Sequence, residues 1–160
     1  MRIRPVQGTE WPPLRELWLR ALAEAPEALG GSAQEAAAWP EAVWRQRAAP
    51  APDRATFVAE DGGAWLGVVV AEHEPAQADT APSVLLHSLW VDPVARRRGV
   101  GRQLVEAVVA WAAERRARSV VLDVAEANAA AIALYATSGF HPSEPASTSG
   151  MVRMVRALLR

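Results

Sequence analysis

The passage that most constrains the fold runs from residue 83 to residue 117. Ser83-Val84-Leu85-Leu86-His87-Ser88-Leu89-Trp90-Val91 is an apolar run of strand length, and Arg102 to Ala117 repeats apolar residues at helical spacing. Between them stands Arg96-Arg97-Arg98-Gly99-Val100-Gly101. A strand that feeds a helix through two closely spaced glycines turns sharply, and glycine allows the close backbone approach to a ligand that such a turn offers. The first N–H groups of the helix lack intrahelical acceptors, and its start carries partial positive charge. Arginines at the same turn add full charges and forked donors suited to phosphate oxygens. Arg96, Arg97, Arg98, Gly99, Val100 and Gly101, with Arg102 beside them, therefore read as an anion cradle for a pyrophosphate.

Around this unit the hydrophobic period alternates between strand and helix. Arg2 to Val6 reads as a short strand. Thr9 is placed to cap a helix carrying Leu14, Leu17, Trp18, Ala21 and Leu22 on one face. Ser32-Ala33-Gln34-Glu35 has the form of a capping box, opening a second helix that holds Trp39, Val43 and Trp44, with Pro40 near its start. Thr56 to Glu60 and Trp65 to Glu72 read as a hairpin turning at Asp61-Gly62-Gly63. A polar, proline-marked loop spans Pro75 to Pro82. The apolar run Ser119 to Val124 suits a strand inside a covered sheet. Asn128 caps a short helix through Ser138 that Gly139 ends, and Met151 to Leu158 is a last strand able to pair antiparallel with Phe140-His141. The expectation is a mixed sheet flanked by helices, in one domain over residues 1–160.

Composition excludes several functions. The net charge is −1, so no general field draws the chain to nucleic acid or an anionic membrane; the one basic stripe is Arg96 to Arg102. All 17 basic residues are arginine, so no lysine serves as nucleophile or Schiff base. Cysteine is absent, which removes disulfides, thiolate metal sites and thiol nucleophiles together. Glu72-His73-Glu74 is not a metal site, because neighbours on a strand point to opposite faces; no metal is expected. Nucleotide hydrolysis through a P-loop fails, since Gly101 is followed by Arg102-Gln103 and not by Lys and Ser or Thr. No apolar run reaches membrane-spanning length and Met1-Arg2-Ile3-Arg4-Pro5 lacks a secretory stretch, so the default location is cytoplasmic.

The residues then match a family pattern. Leu89-Trp90-Val91-Asp92-Pro93, Arg96-x-x-Gly99-x-Gly101, Asp123-Val124, Asn128-x-x-Ala131-x-x-Leu134-Tyr135 and Gly139-Phe140 together resemble the GNAT superfamily of acyl-coenzyme A-dependent N-acetyltransferases. The resemblance covers roughly residues 83–142, a cofactor-binding core; residues 1–80 match in element order only and form the half that shapes the acceptor pocket. It implies the GNAT fold, an α/β (α+β) domain with a mostly antiparallel sheet of about seven strands and about four flanking helices. It also implies acetyl-coenzyme A as cosubstrate, held along its pantetheine arm by Leu89, Trp90 and Val91 and at its pyrophosphate by Arg96 through Arg102. Asn128 would touch the cofactor and Tyr135 would stand near its sulfur. Many relatives form dimers, so a homodimer is expected on resemblance alone.

Acetyl transfer needs a neutral amine, a place for the developing oxyanion and a proton for the departing thiolate. A backbone N–H of the Leu89–Trp90 region fits the second need. Tyr135, the sole tyrosine, fits the third; the plainer reading is a packed helix tyrosine. Three residues are candidates for the base. His87 has the pKa class for it and, by simple alternation, shares a face with Leu89 and Val91, where the arylalkylamine acetyltransferases place a histidine. Asp123 occupies the position of a glutamate in the ribosomal-protein alanine acetyltransferases. Glu60 would act through a water. Each has a plain structural alternative, and Asn128 is equally an N-cap. The acceptor is expected to be a small-molecule amine, with a protein N-terminus second and a non-catalytic acyl-coenzyme A sensor as the reading from another class.

Overall fold

Seven strands form one sheet in the computed structural model, which describes residues 1–75, 82–143 and 150–158. They are β1 (Arg2–Pro5), β2 (Arg54–Asp61), β3 (Ala64–His73), β4 (Ser83–Val91), β5 (Ser119–Ala125), β6 (His141–Pro142) and β7 (Met151–Ala157). The order is β1-β2-β3-β4-β5-β7-β6, antiparallel throughout except at β4–β5. That pair is parallel because the chain crosses over through a helix between the two strands. The helices are α1 (Trp11–Glu24), α2 (Pro26–Leu29), α3 (Ala33–Ala37), α4 (Glu41–Ala48), α5 (Val100–Glu114) and α6 (Ala129–Thr137). The mostly antiparallel, seven-stranded sheet agrees with the sequence reading. The loop expected at Pro75 to Pro82 falls largely outside the described residues.

Three local expectations need correction. Thr9 caps nothing: residues Gly8–Glu10 form a 3-10 turn and α1 opens with Trp11-Pro12-Pro13. Two prolines in the first turn have no N–H for a threonine oxygen to accept, so the capping role is void there. The second helix is two helices, α3 and α4, divided at Pro40, whose ring disfavours helical geometry at Trp39. The capping box itself does open α3, with Ser32 Oγ accepting from the Glu35 N–H at 3.1 Å. With α2 also present, six helices stand among the described residues, where about four were expected. The third correction is small: β6 pairs with β7 through His141 and Pro142, one residue later than expected.

Alternation along the strands sorts the core into two layers. Phe57, Ala59, Val69, Ala71, Val84, Leu86, Leu122 and Val124 pack with Leu104, Val108 and Trp111 of α5. Val58, Val68, Val70 and Trp90 point the other way, against Leu14, Leu17, Trp18, Ala21 and Leu22 of α1 and Trp44 of α4. The hairpin between β2 and β3 closes through Gly62-Gly63 alone, at φ 57° and 88°, because Asp61 pairs directly with Ala64.

Strand β4 breaks the alternation once, and the break matters. Val70 pairs with His87 and Val68 with Trp90, so Val69 faces two residues, Ser88 and Leu89. Ser88 has φ 58°, the left-handed conformation of a bulged residue. Leu86 before the bulge and Leu89 and Val91 after it all serve the α5 layer. His87 is thereby turned to the opposite face, beside Glu72. The expectation that His87 shares a face with Leu89 and Val91 fails because simple alternation assumes no bulge.

Candidate active site

An opening in the sheet organises the site. β4 and β5 pair only at Ser83–Ser119, Val84–Val120 and Leu85–Val121. Beyond those rows β4 stays with β3 as far as Val91, and β5 stays with β7 as far as Ala125. The β4 edge from Leu86 to Val91 therefore faces a gap with main-chain donors and acceptors that no strand satisfies, a place where an extended amide-bearing ligand can pair.

At the mouth of that gap lies the arginine turn. Arg97 and Gly99 adopt φ 65° and 79°, and α5 begins at Val100. The first helical donor is the Gln103 N–H, which reaches the Gly99 carbonyl at 3.1 Å. The N–H groups of Val100, Gly101 and Arg102 precede it and have no intrahelical acceptor. Arg97, Arg98 and Arg102 are exposed around them. Gly101 has a second reason to be glycine: a Cβ there would stand 3.2 Å from Leu134 Cδ2, so α6 packs closely over the start of α5. Asn128 caps α6, its Oδ1 accepting from the Ala131 N–H at 3.1 Å.

Arg96 behaves differently from its neighbours. Its Nε donates to the Val91 carbonyl at 2.9 Å and its Nη2 pairs with Glu24 Oε1. The same Glu24 oxygen accepts from Trp90 Nε1 at 2.9 Å. The Trp90 N–H, and then Arg96, hold the Glu24 carboxyl below its ordinary range. One turn earlier on α1, Arg20 Nη2 lies 3.2 Å from Asp92 Oδ2. Two charge pairs of opposite sense thus strap α1 to the turn, and neither Arg20 nor Glu24 was marked by the sequence reading. Their spacing of four on α1 reads locally as an ordinary surface pair. Trp90 itself is buried in the α1–α4 layer and offers the gap only its main chain.

The remaining candidates separate. His87 and Asp123 each lie two residues beyond the last β4–β5 row, Leu85–Val121, and both point to the α1–α4 face. They flank the apex of the opening. His87 Nδ1 lies 2.9 Å from Ser88 Oγ and Nε2 3.3 Å from Glu72 Oε1. Burial pushes the imidazole pKa down; Glu72 opposes this, and Arg54 and Arg47 reinforce it. Both Asp123 oxygens accept from Arg153, each at 3.0 Å, and Arg153 also reaches Glu74 at 3.2 Å. Glu60 is not brought to the opening. It lies on β2, two strands away, gripped by Arg4 at 3.0 Å. His73, next to Glu72, turns to the α5 side and packs tilted against Trp111, ring centres 5.4 Å apart.

Tyr135 is buried in the α5 layer, edge-on to Phe140 at 5.9 Å. Desolvation alone pushes its pKa up to about 12. Against an ordinary thiol at about 8.5, full transfer of its proton to a thiolate runs uphill by roughly 5 kcal/mol. Such a phenol stays protonated and suits hydrogen-bond donation to sulfur as charge develops, more than prior proton release.

Comparison with known proteins adds the following. The acetyltransferase (GNAT) family matches residues 11–140. An aminoglycoside N(6')-acetyltransferase type 1 of Salmonella typhimurium is 30% identical over 56% of this chain and 64% of its own length, so the match spans just under two thirds of that relative. A ribosomal protein bS18-alanine N-acetyltransferase of the same organism is 33% identical over 62% of this chain and 73% of its length. Among solved structures, the GNAT domain of S. lividans PAT superposes with a TM-score of 0.78 at 22% identity, covering 98% of this chain and 90% of that one.

Proposed function

The chain belongs to the acetyltransferase (GNAT) family, and from that premise we propose that it is an acetyl-coenzyme A-dependent N-acetyltransferase. It transfers the acetyl group to a primary amine by direct attack in a ternary complex, and the acceptor is a small molecule. The observation that carries this reading is the unpaired edge of β4 beyond Leu85, with the start of α5 at its mouth. That donor set fits the cosubstrate. The N–H groups of Val100, Gly101 and Arg102, with Arg97, Arg98 and Arg102, receive the pyrophosphate, and the main chain at Leu89 to Val91 pairs with the pantetheine amides. Arg96 supports the turn through Val91 and Glu24, and Asn128 borders the cofactor while capping α6.

Acetyl-coenzyme A supplies a thioester carbonyl and a thiolate leaving group. A main-chain N–H of the Leu89–Trp90 region, next to the Ser88 bulge, serves as the oxyanion donor in this reading; such a donor is worth about 3 kcal/mol. As the amine nitrogen bonds to the carbonyl carbon and the carbon–sulfur bond breaks, Tyr135 donates to the sulfur. His87, on the opposite face, accepts the proton that the nitrogen sheds as the amide forms, and the sulfur leaves as the free thiol. Asp123, with both oxygens held by Arg153, orders the far side of the opening.

A second reading has a specific basis. Asp123 lies at the apex of the opening, and a bS18-alanine N-acetyltransferase is among the relatives, so an N-terminal peptide is the alternative acceptor. The deciding experiment measures thiol release from acetyl-coenzyme A with a panel of small amines and short peptides. Thiol release with small amines and not with peptides supports the first reading, and the reverse supports the second. Cofactor binding without thiol release from any acceptor favours a sensor. No binding of coenzyme A by the folded protein overturns all three.

A further inference from the structure

On the α1–α4 face, linked to the opening through Glu72 and His87, one side-chain cluster carries more positive than negative charge. Arg47, in the last turn of α4, places its guanidinium 4.2 Å from the centre of the Trp39 ring and 5.6 Å from that of Trp18. It is partly buried, and among the described residues no carboxylate pairs with it. Burial, and then the like charge of Arg54, press its pKa down, with only Glu72 opposing. Arg54 stands on β2 with its Nε 3.7 Å from Glu72 Oε2, an ion-pair distance, and that buried nitrogen has no hydrogen-bond partner. Nε2 of His87, 3.3 Å from Glu72 Oε1, is likewise buried without a hydrogen bond. One carboxylate therefore answers two guanidinium groups and an imidazole that burial keeps neutral.

An unanswered guanidinium in a half-buried site is costly, and the cost falls when an anion completes it. We infer that Arg47 and Arg54 form a carboxylate subsite of the acceptor pocket, so that the acceptor is a small amine carrying a carboxylate several bonds from its nitrogen. This rests on the acetyltransferase reading, which sets the amine at the β4–β5 opening next to His87. β2 lies two strands from β4, about 10 Å by sheet spacing, and long arginine side chains shorten that span. Two guanidinium groups here also repel a polycation, which selects against acceptors of the aminoglycoside type by like-charge contact.

The test uses β-alanine, γ-aminobutyrate and ε-aminocaproate, each paired with the alkylamine of equal length. Trp18 and Trp39 flank Arg47, so intrinsic fluorescence reports occupancy without turnover. At least one aminocarboxylate should give a saturable change that its alkylamine does not. Arg54→Gln and Arg47→Gln should weaken it about tenfold or more. Thermal unfolding is followed for both variants, and Arg54→Gln keeps the test valid if losing Arg47 unsettles the tryptophans. With acetyl-coenzyme A present, Arg54→Gln should raise KM for the aminocarboxylate by about tenfold more than it changes KM for the alkylamine, a ratio that cancels any effect on His87 common to both acceptors. Equal binding of aminocarboxylates and alkylamines, or equal binding by the wild-type protein and both folded variants, overturns the subsite. Thiol release with alkylamines and no carboxylate preference removes the subsite alone. A carboxylate response in a protein that binds no coenzyme A removes the transferase reading and keeps the anion site.

Discussion

The two faces of β4 are built from different materials. On the α5 face the site consists of main chain: the unpaired edge of Leu86 to Val91, the first N–H groups of α5 and the glycines that expose them. On the α1–α4 face it consists of side chains drawn from separate elements, with Arg47 from α4, Arg54 from β2, Glu72 from β3, His87 from β4 and Asp123 from β5. A single bulged residue, Ser88, divides the two. On the proposed function, a cosubstrate shared by a whole family is gripped largely by backbone, which tolerates substitution, with Arg97, Arg98 and Arg102 adding charge and Tyr135 a hydroxyl. On the same proposal a particular acceptor is recognised by side chains, which do not tolerate substitution.

The largest effect expected of this division is on Tyr135. Tyr135→Phe keeps the ring against Phe140 and removes only the hydroxyl, so kcat should fall about a hundredfold while coenzyme A affinity stays within about twofold. Parallel loss of cofactor affinity, read by calorimetry, would make Tyr135 part of the binding wall and blur the comparison. Next comes the far face. His87→Gln should lower kcat about tenfold and flatten the acid limb of the pH–rate profile. Asp123→Asn should cost less, because Arg153 already occupies both carboxylate oxygens. The reverse order in steady-state kinetics would move the base across the opening to β5.

Glu24 tests the boundary between the faces. Bare electrostatics predicts that removing a carboxylate near a pyrophosphate site tightens binding of an anion. The strap to Arg96 and Trp90 predicts the opposite, since Glu24 holds the turn in place. Glu24→Gln should weaken coenzyme A binding about fivefold, or about 1 kcal/mol, the size of one ordinary hydrogen bond, because the exposed pair is screened by solvent. Tighter binding by calorimetry would show that α1 merely passes by the turn.

Legibility in the sequence follows the same line. Gly99 for its left-handed backbone, Gly101 for its close packing and Asn128 for its cap each meet a need that few other residues satisfy, so the turn, the strand before it and the capped helix after it were readable, as was the sheet of seven strands. The strap was not, because Arg20 and Glu24 look like any exposed helix pair until Asp92 and Arg96 are brought opposite them. Nor was the bulge: Ser88 stands in the middle of a stretch that reads as one continuous strand, and nothing local marks its positive φ. That one residue reversed the face assigned to His87. Glu60 looked available because its partner Arg4 lies 56 positions away in the chain.

The smallest effect is on stability, and its sign is fixed by the charges around His87. Glu72 faces the ring from β3, Arg54 from β2 and Arg47 from α4; burial leads, and the net result is a folded pKa below the ordinary value of about 6.5. The unfolded chain then binds more protons than the folded one once pH drops below about 6.5, so this contribution is whole above that pH and is lost progressively beneath it. The ring is about one third exposed, which tempers the loss through solvent screening. The Glu10, Glu24 and Glu60 carboxyls are held low by arginine or indole partners, and they give way at more acid pH, below the ordinary carboxylate range. Urea unfolding at pH 7 and at pH 5 therefore isolates the imidazole. The wild-type protein should lose more stability between those two values than His87→Gln does. An equal loss in both would mean that Glu72 balances burial, and a smaller loss in the wild type that Glu72 outweighs it; either result would remove the lowered folded pKa on which the reading of His87 as a neutral base relies.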